Sequence, residues 1–322
     1  MQRRFFVSTV LTMAVLTVAG CGASSGSVAD NYPDETITYS IPFGPGGQSD
    51  VEARRQEPLL EEKLDTDVNI TYKEGAGGAV GWTELVGEQP DGNFISGMNI
   101  PHIILQPMTK DDTGYETEQI EPVAIFQGTP IGLAVPSDSD METLDDFLEK
   151  ASNEKMTISG SGTYSGHHLA YMQLSHLEDV EMEYIPSTGA ADSVQNFLGG
   201  NTDAIFANSN DLVNYKDDFK ILAIGSEETF EALPDVPTFQ EEGVDLTASI
   251  DRGVAVPPET DEEIIQILED TFLEIANDES VQEEMVQEGF EPVAMDAEQA
   301  QEYIDEKTTE YEEVLKELGE IE

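Results

Sequence analysis

The chain of 322 residues carries 67 Asp and Glu against 14 Lys and Arg, a formal net charge of -53. That split opposes binding to nucleic acid and to anionic lipid head groups. Cys21 is the only cysteine, which excludes a disulfide scaffold and a multi-cysteine zinc site, and a 39% hydrophobic share argues against disorder.

A field this strong repels itself at low ionic strength, whereas molar salt shortens the Debye length to ~3 Å. The excess acids therefore read as the solvated surface of a halophilic protein, and paired carboxylates carry little catalytic information. The length suits about two domains.

Residues 1–20 begin with Arg3 and Arg4, continue through Phe5-Phe6 into an apolar run, and contain no acid. A basic start, an apolar stretch too short to span a bilayer and small residues before a cut describe an export signal. The arginine pair points to twin-arginine export. Val18-Ala19-Gly20-Cys21 resembles a lipobox, with Cys21 the lipidated first residue of the mature chain, and the Gly/Ser stretch after it reads as a flexible tether over 21–33. Cleavage there would take the net charge from -53 to -55, because two arginines and no acid are removed.

From residue 34 onward the pattern is strand, glycine-rich turn, helix. A strand over 36–43 leads through Gly44-Pro45-Gly46-Gly47 to a helix over about 50–64. Val68–Tyr72 leads through Gly75-Ala76-Gly77-Gly78 to a second helix, and a third strand follows over 93–98. Further strands are predicted over 131–135, 156–159, 181–185, 203–207 and 220–224. A capping box at Thr143–Asp146 opens a helix to about Ala151, and another at Thr260–Glu263 precedes the stripe Ile264, Ile265, Leu268 and Phe272. A last helix over 297–318 has Asp296 as its N-cap. The alternation predicts doubly wound, parallel α/β sheets.

The glycine loops fall at the carboxyl ends of strands, where free amides and helix N-termini favour anions. The run from Ser159 to Gly166 offers hydroxyls in the same setting. Three such cradles with almost no side-chain cations suggest a small carboxylate held by backbone and water. Gly75–Gly81 lacks the third glycine of a dinucleotide loop, no loop ends in Gly-Lys-Ser/Thr, and no Gly-x-Ser-x-Gly elbow surrounds Ser159, Ser161 or Ser165. His167 and His168 are adjacent, about 100° apart on a helix, and cannot pair on one metal. They read as helix-start packing or as a polar ligand contact. No metal and no cofactor is expected.

Ile41-Pro42-Phe43-Gly44-Pro45-Gly46-Gly47-Gln48-Ser49-Asp50-Val51, with Arg54, resembles the opening motif of the substrate-binding proteins of tripartite tricarboxylate transporters. Gly75-Ala76-Gly77-Gly78 with Gly81, then Pro90-Asp91-Gly92, is similar to that family's second loop. Ser159-Gly160-Ser161-Gly162 with His167-His168-Leu169, Tyr184 to Ala190, Leu198 to Asp203 and Leu233 to Phe239 continue the resemblance in order. With its acidity and lipobox, the chain looks like a haloarchaeal-type acidic lipoprotein of this family.

The resemblance implies a two-lobed, type II periplasmic-binding-protein-like α/β fold, each lobe a doubly wound sheet with flanking helices. The expected lobes are 34–133 with 254–322, and 134–253, with crossings near Gly132 and Gly253. It implies no enzyme but an extracytoplasmic, membrane-anchored monomer that delivers a small organic carboxylate to integral membrane permease subunits. Carried over residue by residue, the ligand contacts are Phe43, Gly46, Gly47, Ser49, Asp50, Ala76, Gly77, Ser159, Gly162, Thr163 and the neighbourhood of Ala190, Asp203 and Asn208. The alternatives are a surface sensor for a carboxylate, or a hydrolase using the Ser159 to Ser165 loop with His167. Trp82 stands where the family usually has a small residue, and Asp251-Arg252-Gly253 replaces an aromatic stretch.

Two further expectations come from the residues themselves. Arg54, four residues after Asp50, reads as a local ion pair. Arg252, at the expected crossing, reads either as a two-pronged grip on a ligand carboxylate or as a salt bridge to Asp251 or another acid. Trp82, the only tryptophan, is expected to report on the cleft if the second loop binds ligand.

Overall fold

The computed structural model describes residues 28–322; the expected export signal, Cys21 and most of the expected tether lie outside the described residues. The first lobe opens with β1 (Ile37–Ile41), α1 (Gln48–Leu64), β2 (Val68–Tyr72), α2 (Ala79–Leu85), β3 (Phe94–Ile100), α3 (His102–Thr109) and β4 (Glu121–Gly128). The chain then crosses into β5 (Ile131–Pro136), α4 (Leu144–Asn153), β6 (Met156–Gly160), α5 (Gly166–Leu177), β7 (Met182–Pro186), α6 (Ala190–Leu198), β8 (Ala204–Asn208), α7 (Ser209–Asn214) and β9 (Phe219–Ile224). It returns through β10 (Asp251–Val256) and ends with α8 (Glu262–Ala276), α9 (Glu279–Gln287), β11 (Glu291–Met295) and α10 (Ala297–Leu318).

The first sheet has the order β11-β4-β10-β3-β1-β2 and the second β7-β6-β8-β5-β9. Each therefore contains the same three-strand unit, a first strand lying between the next two: β2-β1-β3 and β7-β6-β8. Pairing within both units is parallel. The sheets as wholes are mixed, which corrects the all-parallel expectation: β10 runs antiparallel to β3 and β4, and β5 runs antiparallel to β8 and β9. The physical reason is the double crossing. A chain that leaves one sheet through β4 and returns to it through the adjacent β10 must run in opposite directions in the two strands.

The changeovers lie in the short links 129–130 and 249–250, a few residues before Gly132 in β5 and Gly253 in β10. Gly253 is needed for close packing within the sheet, because a Cβ there would meet Ala124 O at 2.2 Å.

Local signals explain the helix ends. Asp296 accepts from Gln299 N at 2.8 Å while Gln299 Oε1 accepts from Asp296 N at 3.1 Å, and Gly319, with φ 74°, closes α10. The box at Thr143 and Asp146 forms as expected. At α8 the cap is Asp261, which accepts from Glu263 N at 2.9 Å; Thr260 instead donates to Pro257 O at 2.7 Å.

Apolar side chains on both faces of each sheet form the cores, with Phe147, Phe206 and Phe239 in the second lobe and Tyr39, Phe126 and Phe272 in the first. Leu169 and Met172 of α5 join a first-lobe cluster with Ile103, Ala300 and Leu315, so the lobes share apolar contact as well as two crossings.

Candidate functional site

In open α/β sheets ligands sit beyond the carboxyl ends of strands, where the strand order reverses. In both sheets that point is the end of the first strand of the three-strand unit, β1 or β6. The structure turns these two edges toward each other. Between them lies a cleft of about 220 Å³, lined from the first lobe by residues after β1, β2 and β3 and from the second by residues after β6, β7 and β8. Ile250 and Arg252 line it from the crossing and β10.

The loops after β1 and β7 present backbone donors. α1 starts after Gly47 with no side-chain cap, and α6 starts after Gly189 likewise. Among the described residues, the amides of Gln48 and Ser49, and those of Ala190 and Ala191, find no acceptor. Asp50 folds back to accept from Gly46 N at 2.7 Å, and Asp192 does the same for Thr188 N at 3.0 Å. Each loop is thus held with its amides free.

The cleft floor is a polar chain that crosses between the lobes. Ser161 N donates to His167 Nδ1 at 3.0 Å, so the neutral ring carries its proton on Nε2 and donates to Asn208 Oδ1 at 3.1 Å. Asn208 Nδ2 lies 3.4 Å from Asp211 Oδ2, which also accepts from Gln48 Nε2 at 2.7 Å. Gln48 Oε1 accepts from Arg252 at 3.5 Å. Burial pushes His167 down to about 4, and it takes His102 to about 3, so both imidazoles lining the cleft are neutral. Ser161 Oγ also lies 3.1 Å from His167 Nδ1, but it donates its proton to Ser165 Oγ at 3.0 Å, and Nδ1 already accepts from the Ser161 amide. With burial holding the ring neutral, His167 is a poor base for Ser161, which weakens the hydrolase alternative.

Arg252 is 4% exposed. Its guanidinium donates to Thr129 Oγ1 and to Ile250 O, and its Nε is buried without a partner. Asp251, next in sequence, points to the other side of β10, where it accepts from Ser249 Oγ at 3.0 Å and Tyr303 OH at 2.5 Å. The expected alternative of a salt bridge is therefore not what forms. Among the described residues, Arg54 and Arg55 have carboxylates within 4.0 Å and Arg252 has none. Burial draws Arg252 down to about 10, partly offset at longer range by Asp251, Asp211 and Glu52.

Of the residues expected in the site, the structure gathers Phe43, Gly47, Ser49, Ala190, Asn208 and Arg252 around the cleft. Gly46 and Asp50 shape the first loop without lining it; Asp50 also accepts from Tyr72 OH and pairs with Arg54 at 2.9 Å, the expected local ion pair.

Ala76 and Gly77, with positive φ, form a tight turn packed against Gln106 and Trp82: a Cβ on Gly77 would meet Gln106 Nε2 at 2.6 Å. Gly162 lies close to Gly77 across the lobes, and Thr163 O accepts from Gln106 Nε2 at 3.1 Å. Gly77, Gly162 and Thr163 thus lie where the lobes meet beside the cleft, with Ala76 exposed at the turn. Ser159 Oγ is buried and donates to Ser193 O at 3.0 Å. Asp203 precedes β8, at the opposite end from Asn208, and its carboxylate holds Thr157 N and Oγ1.

Trp82 is fully buried, donates to Gly97 O at 2.9 Å and meets the cleft only through Phe43, whose ring lies edge-on at 6.1 Å. Sequence reasoning missed Gln48, Asn99 and His102 on the cleft wall and Asp211 beneath it, while the span 188–192 falls in the expected neighbourhood of Ala190. His102 could have been found from Pro101-His102 at the end of a strand beside the reversal point. Asp211 carries no local signal.

The receptor profile of the tripartite tricarboxylate transporter family matches residues 53–320. Protein BugT of Bordetella pertussis is 25% identical over 320 residues, covering 97% of this chain and 98% of that protein. A protein from the gbd 5' region of Cupriavidus necator is 26% identical over 324 residues, covering 99% and 98%. In fold, the chain is similar to the periplasmic binding protein BugD, with TM-score 0.84, 24% identity and coverage of 89% and 99%. It is also similar in fold to R. palustris Rpa4515 with adipate, with TM-score 0.85, 20% identity and coverage of 89% and 98%.

Proposed function

This chain belongs to the tripartite tricarboxylate transporter family of receptors, and from that premise we propose that it captures a small organic carboxylate between its lobes and delivers it to membrane permease subunits. Its relatives are solute-binding receptors, not enzymes. The observation that carries the reading is the cleft itself. Two loops from different lobes aim unbonded helix-start amides into one small space, which favours an anion. Lobe closure would exclude water and strengthen those contacts.

At about 220 Å³ the cleft falls below the ~300–1,000 Å³ of drug-sized sites, which suits an acid of a few carbons. The structures of Rpa4515 with adipate and of MatC with malate, similar in fold, support the ligand class. Ligand contacts are assigned to Phe43, Gly47, Ser49, Ala190, Asn208 and Arg252, with Gly46 and Asp50 shaping the first loop. Gly77, Gly162 and Thr163 act by holding the lobes together, with Ala76 shaping the turn before them.

We assign the lobes to residues 34–128 with 251–322, and 131–248. The mature chain is read as a monomer exported by the twin-arginine route, lipidated at Cys21 and folded in brine. No helix among the described residues is long and apolar enough to cross a membrane. Cys21→Ser should then move the protein from the membrane fraction into the medium.

The ligand reading is tested by native mass spectrometry of the purified protein in volatile salt, followed by calorimetric titration of any co-purified acid. A stable complex with unchanged acid supports it. Turnover of the acid, or binding only of neutral or cationic solutes, contradicts it.

A further inference from the structure

A buried charge without a partner is costly, and one left in a folded protein calls for an explanation. Arg252 is such a charge in an unusual setting. The chain carries 67 acids, yet no carboxylate among the described residues comes within 4.0 Å of this 4% exposed guanidinium. Its bonds go to neutral acceptors: Thr129, the Ile250 carbonyl and, at the limit of length, Gln48. Among the described residues its Nε has no hydrogen-bond partner, and neither has Nδ1 of the neighbouring buried His102.

Both residues line the cleft. Because the cleft imidazoles are neutral, Arg252 is, among the described residues, the one cationic side chain on its wall. Glu74 and Asp192, also on that wall, are exposed and hence screened by salt, whereas Arg252 is not.

We propose that Arg252 is the specificity-determining residue of the cleft: the ligand supplies the carboxylate that this guanidinium lacks. The inference rests on the cleft being the ligand site and goes further by defining the ligand. One carboxylate meets the free amides at the starts of α1 and α6. A second meets Arg252, whose planar fork matches a carboxylate with two parallel hydrogen bonds. His102 Nδ1 lies beside it as a further polar contact. Acids with an anionic group at both ends are selected, and those with a neutral inner end are rejected because the guanidinium then stays uncompensated.

The test is calorimetric titration of the intact protein in high salt with succinate, glutarate and adipate, each beside its half-amide, which has nearly the same shape. At least one diacid should bind at least ~10-fold more tightly than its half-amide, the scale of a lost charged hydrogen bond. Arg252→Gln should bind the two forms about equally, and Arg252→Lys should fall between. The empty variants should keep the parent's fold by circular dichroism, since they give up bonds to the neutral acceptors Thr129, Ile250 and Gln48 and no ion pair.

Equal binding of diacid and half-amide by the parent overturns the inference, as does discrimination retained in Arg252→Gln. Failure of both variants to fold would assign Arg252 a structural role and overturn it equally. Binding of half-amides alone defeats this inference and leaves the carboxylate cleft standing; binding of none of the six acids defeats both.

Discussion

Gln48 Nε2 on the first helix of one lobe donates to Asp211 Oδ2 of the other at 2.7 Å, across the floor of the cleft. Burial raises the Asp211 carboxyl to about 6, against the hydrogen bonds from Asn208 and Gln48 and the charge of Arg252, all of which lower it. The folded state therefore holds this proton more tightly than the unfolded chain does. The resulting stabilisation is complete below the ordinary value of 3.8 and is lost as pH rises through about 6.

Asp211→Asn keeps an acceptor for Gln48 and removes the buried charge. Without ligand it should be more stable than the parent at pH 7, by on the order of 3 kcal/mol. The gap should close as pH falls below about 4. Urea unfolding at fixed high salt across this range checks it; a variant less stable at pH 7 would mean that the ionised carboxylate is held as a partner of Arg252.

Gln106 does not line the cleft, yet its Nε2 holds Thr163 O at 3.1 Å and Tyr164 O at 3.0 Å across the lobes. Gln106→Ala should loosen the closed arrangement by two hydrogen bonds of ~1 kcal/mol each. Ligand affinity should fall ~10-fold or more through the closed population alone. X-ray scattering should show a larger radius of gyration for the empty variant; unchanged scattering and affinity would remove Gln106 from the closure.

Trp82 is buried behind Phe43. Its emission maximum should be that of a buried indole, resist iodide quenching and stay in place when ligand binds. Phe43→Ala should open it to quencher and shift the emission to the red. A ligand-induced shift in the parent protein would place the indole nearer the ligand than this geometry does.

The net charge of -53 predicts loss of compact structure below some hundreds of millimolar salt, reversed on re-addition. Circular dichroism and hydrodynamic radius measured down to ~10 mM, where the Debye length is ~30 Å, check this. Unchanged signals over the whole range would contradict it.

The elements legible in the sequence are those set by neighbours along the chain. Asp296 and Gln299 cap α10 from three residues apart, and Ile37, Tyr39 and Ile41 mark β1 by alternation. What stayed hidden depends on distant partners. The glycines at 77 and 78 read as an anion cradle, but Gln106 and the Trp82 ring occupy the space beside them, which makes the turn a packing feature. Asp251 and Arg252 are adjacent and look like a pair. The pleat of β10 sends them to opposite sides, so only the position of that strand between β3 and β4 isolates the arginine. Asp203 matched a family motif in sequence, while the length of β8 separates it from the edge where ligands collect.

A second cavity, of about 650 Å³, lies on the Asp251 side of β10 and shares no lining residue with the smaller cleft. The carboxylate is assigned to the smaller one. A crystal structure of the protein grown in high salt with its tightest-binding acid tests this most directly. The acid is expected between the loops at 43–49 and 188–192, within hydrogen-bond distance of the Ser49 or Ala190 amides. The acid bound instead in the larger cavity, beside Tyr303 and Tyr311, would contradict it.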